Sequence, residues 1–161
     1  MQKFPITASG FEKLSEELRH LKMVERPTII KAISEARDLG DLSENAEYHS
    51  AREKQSFIEG RIIELEDKIA RSEVINIAKL SGDTVKFGAK VKLIDCDSDR
   101  EFVYRIVGEY EADLEQGMIS IISPLARAVI GKKLNDTVEV TTPSGIKEYQ
   151  ILEVRYNQDD K

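Results

Sequence analysis

Residues 48–69 read YHSAREKQSFIEGRIIELEDKI, and the apolar positions in this stretch are separated by alternating steps of three and four. This spacing places side chains along one face of an α-helix and is typical of a coiled-coil seam. Gly60 lies off that face and lowers helix stability by about 1 kcal/mol relative to alanine. The stretch therefore predicts one long helix whose apolar face needs a partner. The seam positions are Tyr48, Ala51, Gln55, Ile58, Ile62, Leu65 and Ile69.

A preceding stretch with the same spacing supplies that partner. Ser9 is the predicted N-cap, because Glu12 follows three residues later in the pattern of a capping box. Pro27 is expected to kink or split the helix, since proline lacks a backbone donor, and Gly40 suits its C-terminal end. Two helices joined by a short turn predict an antiparallel hairpin about 45 Å long. The apolar positions are Phe11, Leu14, Leu18 and Leu21, then Ile29 or Ile30, Ile33 and Ala36.

Beyond residues 79–83 the apolar period changes to two, in short runs separated by Gly, Asp, Ser and Pro. Such runs predict antiparallel strands. One helix interrupts them at SPLARAVIGK, residues 123–132, where Ser123 suits the N-cap, Pro124 the first helical position and Gly131 the residue after the end. The predicted fold is α+β: an antiparallel helical hairpin in residues 1–79, then a small antiparallel β domain with one short helix in residues 80–161.

Composition excludes several classes of protein. A net charge of −6 argues against non-specific nucleic-acid binding, which depends on Lys and Arg neutralising phosphates. Cys96 is the only cysteine, so there is no internal disulfide and a reducing compartment fits. No apolar run has the length of a signal peptide core or a membrane span. We therefore expect a soluble, cytoplasmic protein with no membrane partner.

Between the two helices, residues 37–48 read RDLGDLSENAEY, with Asp38, Asp41, Glu44 and Glu47 at every third position. One interpretation is structural: Asp41 and Glu44 form a capping box for the second helix, with Ser43 as another candidate cap. The alternative is a partial metal site, because Mg²⁺ accepts one or two protein carboxylates and completes its coordination elsewhere. Asp38 does not fit the structural interpretation. It lies at the predicted C-terminal end of the first helix, where the helix dipole favours a cation.

The turn and its flanks, EARDLGDLSENAEYHSAREKQ, resemble the tip of the bacterial GreA-type transcript cleavage factors of the GreA/GreB family. The resemblance continues through FIEGRIIELEDKI, YRIVGEYEAD, ISPLARAVIGK and the TPSG turn, and it spans essentially the whole chain. It implies a coiled coil that enters the secondary channel of RNA polymerase. It also implies an FKBP-like C-terminal domain that binds the rim of that channel.

The resemblance also implies roles for individual residues. Asp41 and Glu44 would help to hold the weakly bound second Mg²⁺ of the polymerase active site and position the attacking water. The reaction would be hydrolysis of backtracked nascent RNA. The chain would act as an accessory factor and not as an enzyme, with no cofactor of its own. Its partners would be bacterial RNA polymerase and the 3′ end of the RNA. Independently of the resemblance, we expect a monomer, because the predicted seam is satisfied within one chain.

Five other residues near or on the hairpin need an assignment. Arg37 and Arg52 are candidates for contacting RNA phosphate, although Arg37 also has the spacing to pair with Asp41. Tyr48 fits packing in the seam better than a direct role. His20 and His49 have no partner histidine or cysteine and are expected to be ordinary surface residues.

Two alternative functions of the chain remain open: a channel-binding inhibitor of the polymerase, and a chaperone-like interaction module.

Overall fold

The computed structural model describes residues 2–41 and 44–156. The α+β fold class is confirmed. The order of elements is β1 (Phe4–Thr7), α1 (Ala8–His20), a π-helical segment (Leu21–Glu25), α2 (Arg26–Arg37), α3 (Ala46–Arg71), β2 (Ser72–Ile75), β3 (Lys90–Asp95), β4 (Glu101–Val107), β5 (Met118–Ser120), α4 (Pro124–Val129), β6 (Thr137–Thr142) and β7 (Gly145–Arg155). Two short 3₁₀ helices occupy Ile77–Lys79 and Leu114–Gln116.

By compactness the chain separates into residues 11–72 and a second unit formed by residues 2–10 with the chain from residue 73 onward. The boundary between residues 79 and 80 given above stays a prediction. Within the described residues, no helix combines the length and the apolarity needed to cross a membrane.

The first helix begins earlier than the capping pattern predicts. Thr7, the last residue of β1, caps it: its Oγ1 accepts a hydrogen bond from the N–H of Gly10 at 3.0 Å. Ser9 lies inside the first turn of α1, so its assignment as the N-cap is wrong. The chain leaves an extended strand at Thr7, and an N-cap residue requires such non-helical backbone on its N-terminal side.

Pro27 does not split the first arm of the hairpin. The backbone stays helical through Glu25 and Arg26, and Pro27 lies in the first turn of α2. The preceding turn widens to a π-helix, in which the N–H of Arg26 donates to the Leu21 carbonyl. Thr28 Oγ1 donates to the Val24 carbonyl at 2.7 Å, which satisfies an acceptor close to the proline. A π-helical turn is a known way to absorb a local conflict within a continuous helix.

The predicted seams form the core of the hairpin. Ile29 is buried and Ile30 is 52% exposed, which resolves the choice between them. Leu18, Leu21, Tyr48 and Ala51 pack against the buried cluster as partly exposed neighbours. Gln55 is also partly buried. The cluster itself consists of Ile29, Ile33, Ile58 and Ile62.

Gly60 offers a test of the helix without disturbing its packing. A Cβ added there would have no atom within 4 Å outside the neighbouring helix backbone, and Gly60 lies within α3. We expect Gly60→Ala to raise the free energy of unfolding by about 0.5–1 kcal/mol, because alanine reduces the entropy of the unfolded chain and favours the helix. Urea unfolding measures it. A decrease in stability would contradict the open environment of this position.

The C-terminal unit contains a five-stranded sheet in the order β5-β4-β3-β7-β6, and β1 and β2 form a separate two-stranded sheet. Within the five-stranded sheet the pairing is antiparallel except that β4 and β5 run parallel, with Ile106 opposite Ile119. The expectation of a wholly antiparallel sheet is therefore wrong at this edge. Residues 108–117 bring the chain back beside Arg105, in the second half of β4, and Gly117 lies in the turn before β5 with a φ of 73°.

The short helix α4 follows the predicted caps. Ser123 Oγ accepts from the N–H of Ala126, Pro124 opens the helix and Gly131 follows it with a φ of 85°. Ala126 and Val129 are buried against the sheet as part of one core. The other buried members of that core are Ile77, Val85, Ala89, Val91, Leu93, Ile106, Ile119, Val138, Ile151 and Tyr156.

Asp95 organises the turn between β3 and β4. It is only 5% exposed, and its Oδ1 accepts from the N–H of Asp97 at 2.9 Å and more weakly from that of Ser98 at 3.4 Å. The hydrogen bond from Asp97 is the main cause that lowers the pKa of the Asp95 carboxyl, and the Lys147 ammonium 3.8 Å away acts in the same direction. The carboxylate is therefore better stabilised in the folded chain than in the unfolded one.

This lowered pKa predicts a pH dependence of stability. The contribution of Asp95 is present above the unfolded pKa, about 4 for aspartate, and is lost as the pH falls through the folded value. Asp95→Asn keeps an acceptor oxygen but cannot titrate, so we expect it to be less stable than wild type at pH 7, with the difference shrinking in acid. Urea unfolding at several pH values measures this. The exposed Asp97→Asn is the control, and a pH-independent difference would contradict the prediction.

Candidate functional site at the turn of the hairpin

The acidic turn lies between the end of α2 at Arg37 and the start of α3 at Ala46. Asp38, Asp41, Glu44 and Glu47 are all exposed. Gly40 reverses the chain with a φ of 127°, a backbone conformation that favours glycine. Ser43, the other candidate cap, lies outside the described residues.

Asn45 holds the turn together. Its Oδ1 accepts from the N–H of Tyr48 at 3.0 Å and so caps α3, while its Nδ2 donates to the Ala36 carbonyl at 2.6 Å. One side chain thus satisfies an orphan donor at the start of α3 and an acceptor in the last turn of α2. The sequence interpretation missed this residue, although asparagine is as good an N-cap as aspartate.

The capping box of Asp41 and Glu44 is therefore wrong. Helix α3 begins four residues later than that pattern requires, which puts Glu44 just before the Asn45 cap and Asp41 further back in the turn. Within the described residues the side chain of Glu44 makes no hydrogen bond or ion pair. Glu47 alone lies in the first turn of α3, where it complements the positive end of the helix dipole. Capping of α3 does not explain Asp41 or Glu44.

The chemistry of these two side chains fits a shared magnesium site. Carboxylate oxygens are the hard ligands that Mg²⁺ prefers, and the ion normally keeps water or phosphate oxygens in its remaining positions. Among residues 2–41 and 44–156, no group of three or more His, Cys, Asp or Glu side chains is arranged to hold a metal ion. Asp41 and Glu44 are thus candidates to donate ligands to an ion that another molecule also holds.

Most arginines of residues 11–72 are engaged by carboxylates. Arg61 donates two hydrogen bonds, of 2.6 and 2.9 Å, to the carboxylate of Glu17 in α1. Arg26 donates two hydrogen bonds, both of 2.8 Å, to the carboxylate of Glu59 in α3. These hydrogen bonds are the main cause that lowers the pKa of both glutamates and raises that of both arginines. The pairs are Arg19–Glu16, Arg26–Glu59, Arg61–Glu17 and Arg71–Asp67.

Arg37 and Arg52 are the exceptions, and both lie near the turn. Each is exposed, and neither forms an ion pair with any residue in the described ranges. The proposed pair of Arg37 with Asp41 is absent, because α2 ends at Arg37 and the helical spacing does not continue. Both guanidinium groups are thus available to an anion from outside the chain. Their assignment to RNA stays a prediction.

The remaining candidates have structural environments. Tyr48 packs against the core of the hairpin, and its ring meets that of His49 edge-on, with 5.5 Å between the ring centroids. His20 is exposed, and its Nε2 lies 3.5 Å from Glu25 Oε1. Neither histidine lies in the turn.

Two family models match the chain. The N-terminal model of the GreA/GreB transcription elongation factors covers residues 4–74, and their C-terminal model covers residues 80–156. A curated transcription elongation factor GreA from Acidiphilium cryptum is 64% identical over 97% of this chain and 99% of its own length. That of Rickettsia prowazekii is 62% identical over 98% of both chains.

The fold, the turn and these matches define a transcription elongation factor. The chain belongs to the GreA/GreB family, and the curated relatives above both carry the name GreA. A solved structure of GreA factor homolog 1 from Thermus thermophilus aligns with 96% of this chain and 99% of that chain at 24% identity, with a TM-score of 0.44. The family assignment does not depend on that alignment.

Proposed function

We propose that this chain stimulates the Mg²⁺-dependent cleavage of backtracked nascent RNA by bacterial RNA polymerase. The hairpin enters the secondary channel and presents its turn to the active site, and the C-terminal unit binds the rim of the channel. The observation that carries the proposal is a pair of exposed carboxylates, Asp41 and Glu44, which lie in the turn of the hairpin and do not cap α3. Membership of the GreA/GreB family supports it.

In this proposal Asp41 and Glu44 supply oxygen ligands and orient the attacking water, and the polymerase supplies the remaining ligands. Mg²⁺ contributes activation of water and stabilisation of the leaving oxygen, as in other two-metal phosphoryl sites. The chain alone hydrolyses nothing, because two exposed carboxylates are only part of such a site. It acts as a cytoplasmic monomer, since the apolar faces of its two helical arms pack on each other.

Arg37 and Arg52 have a complementary role. Neither arginine forms an ion pair within residues 2–41 and 44–156, so both guanidinium groups are able to form paired hydrogen bonds with phosphate oxygens of the displaced RNA 3′ segment. The contact holds the RNA beside the carboxylates, which would otherwise repel it. The net charge of −6 is consistent with binding that is local and that depends on the polymerase.

The test uses purified elongation complexes that have been stalled and allowed to backtrack, with labelled RNA. Adding the chain is expected to release short 3′ fragments and to restore extension, in a reaction that requires Mg²⁺. An inhibitor that only occupies the channel would slow extension and release no fragment. A chaperone-like module would suppress protein aggregation equally well after Asp41 and Glu44 had been neutralised. Either of those results would overturn the proposal.

A further inference from the structure

A groove near the turn, between α2 and α3, has no role in the function proposed above. Its volume is about 350 Å³, within the range of pockets that take a small ligand or a side chain. Residues of both arms line it, together with Leu39, which follows the end of α2. We call it the alanine groove; its lining residues are Ala32, Glu35, Ala36, Leu39, Glu47 and Ala51.

Small side chains are what leave this space open. Further along the hairpin the facing positions are filled by large residues such as Ile33 and Ile58. The groove instead has alanines on both arms, and one of them, Ala36, is only 4% exposed. Leu39 is 68% exposed. The surface is thus apolar and concave.

Each arm contributes one carboxylate to the groove. Glu35 and Glu47 are both exposed. Lys31 Nζ lies 3.9 Å from Glu35 Oε1, at the outer limit of an ion pair and on the surface, where such a pair stabilises little. Glu47 makes no ion pair with any residue in the described part of the chain. An apolar groove with two acidic groups is complementary to a long side chain that ends in a cation.

We propose that the alanine groove receives one lysine or arginine side chain of the protein that the turn of the hairpin meets. Its methylene stem lies on Ala32, Ala36 and Ala51, and its charged end lies between Glu35 and Glu47. The inference rests on the proposed function, which makes that protein RNA polymerase. Nucleic acid does not fit, because its phosphates would meet two carboxylates. An apolar side chain fits less well, because it would desolvate both carboxylates without pairing them.

The test is the affinity of the full chain for stalled elongation complexes, measured by titration at two salt concentrations. The double variant Glu35→Gln with Glu47→Gln keeps the shape of the groove and removes its charge. We expect it to bind about tenfold more weakly at low salt, with a smaller salt dependence than wild type. Ala51→Leu fills the groove, and we expect a similar loss of affinity. Ala32→Leu, from the other arm, repeats that test.

Two matched controls lie elsewhere on α3. Glu53→Gln removes an exposed charge outside the groove, and Ala70→Leu adds the same side chain at an exposed position near the end of the helix. Both are expected to bind like wild type. Thermal unfolding followed by circular dichroism identifies any variant that has lost its fold. At saturating concentration the folded groove variants are expected to stimulate RNA cleavage as wild type does.

The possible results separate this inference from the proposed function. Wild-type affinity in the double glutamine variant, with normal RNA cleavage, would overturn the groove alone. Loss of affinity in the leucine variants but not in the glutamine variant would assign an apolar occupant and also overturn it. Failure of the wild-type chain to bind the polymerase or to stimulate cleavage would overturn both.

Discussion

Asp41→Asn and Glu44→Gln are each expected to reduce the stimulated rate of RNA cleavage by about 100-fold or more, while the affinity for the polymerase stays near that of wild type. The amides match the carboxylates in size but are neutral and weaker ligands for a divalent cation, so the loss falls on the metal-assisted step. Both side chains are exposed and do not cap α3. The substitutions therefore leave the cap of α3 in place. The measurement is single-turnover cleavage in stalled complexes at saturating factor.

A matched substitution separates ligand donation from general negative charge. Asp38→Asn removes a third exposed carboxylate from the same turn, at the C-terminal end of α2, and is expected to keep most of the activity. Raising the Mg²⁺ concentration should partly restore cleavage with Asp41→Asn, because a weaker site fills at higher concentration. Equal losses in all three variants would show that charge alone matters. Normal cleavage with Asp41→Asn would show that Asp41 is not a ligand of the shared Mg²⁺.

Apolar periodicity predicted the parts of the fold that depend on burial. The seam from Tyr48 to Ile69 lies within α3, and its members Ile58 and Ile62 belong to the buried core of the hairpin. The short helix α4 also has its predicted caps. Both features are local, since they follow from residues within a few turns of each other. In the first arm the sequence could not decide whether Ile29 or Ile30 takes the seam position, and the structure shows that Ile29 is buried.

The first residue of a helix could not be predicted reliably where two possible N-cap residues lie within a few positions of each other. Thr7 caps α1 in place of Ser9, and Asn45 caps α3 in place of Asp41. In each case both residues are acceptable caps, and the backbone before the helix decides between them. Strand β1 ends at Thr7, and in the second case Gly40 has a positive φ and the helix begins only after Asn45. The sequence pattern contains neither constraint.

Contacts between residues that are far apart in the chain also could not be predicted from the sequence. Pairing of Arg61 with Glu17 depends on the register of the two arms. Only that register shows that Arg37 and Arg52 have no carboxylate partner among the described residues. The parallel pairing of β5 with β4 depends similarly on the path of residues 108–117. The acidic turn could be found from its composition, but only the structure shows that Asn45 caps α3 and that Asp41 and Glu44 do not.

Asn45→Ala is expected to lower the free energy of unfolding by about 2 kcal/mol, because it removes both the N-cap of α3 and the hydrogen bond to the Ala36 carbonyl. It is also expected to reduce stimulated cleavage by about tenfold or more, since Glu44 is the adjacent residue and small displacements of reacting groups are costly. Urea unfolding and the cleavage assay measure the two effects.

Two further variants separate the roles of Asn45. Asn45→Asp keeps an acceptor for the Tyr48 N–H but loses the donor to Ala36, so we expect stability and cleavage between those of wild type and of the alanine variant. Ile33→Val weakens the buried seam by about 1 kcal/mol without touching the turn, and should cleave normally. Full activity and stability in Asn45→Asp would show that the link to α2 contributes nothing. If Ile33→Val also impaired cleavage, the lower cleavage rate of Asn45→Ala would be explained by reduced stability of the hairpin. The hydrogen bonds of Asn45 would then have no specific role in positioning Asp41 and Glu44.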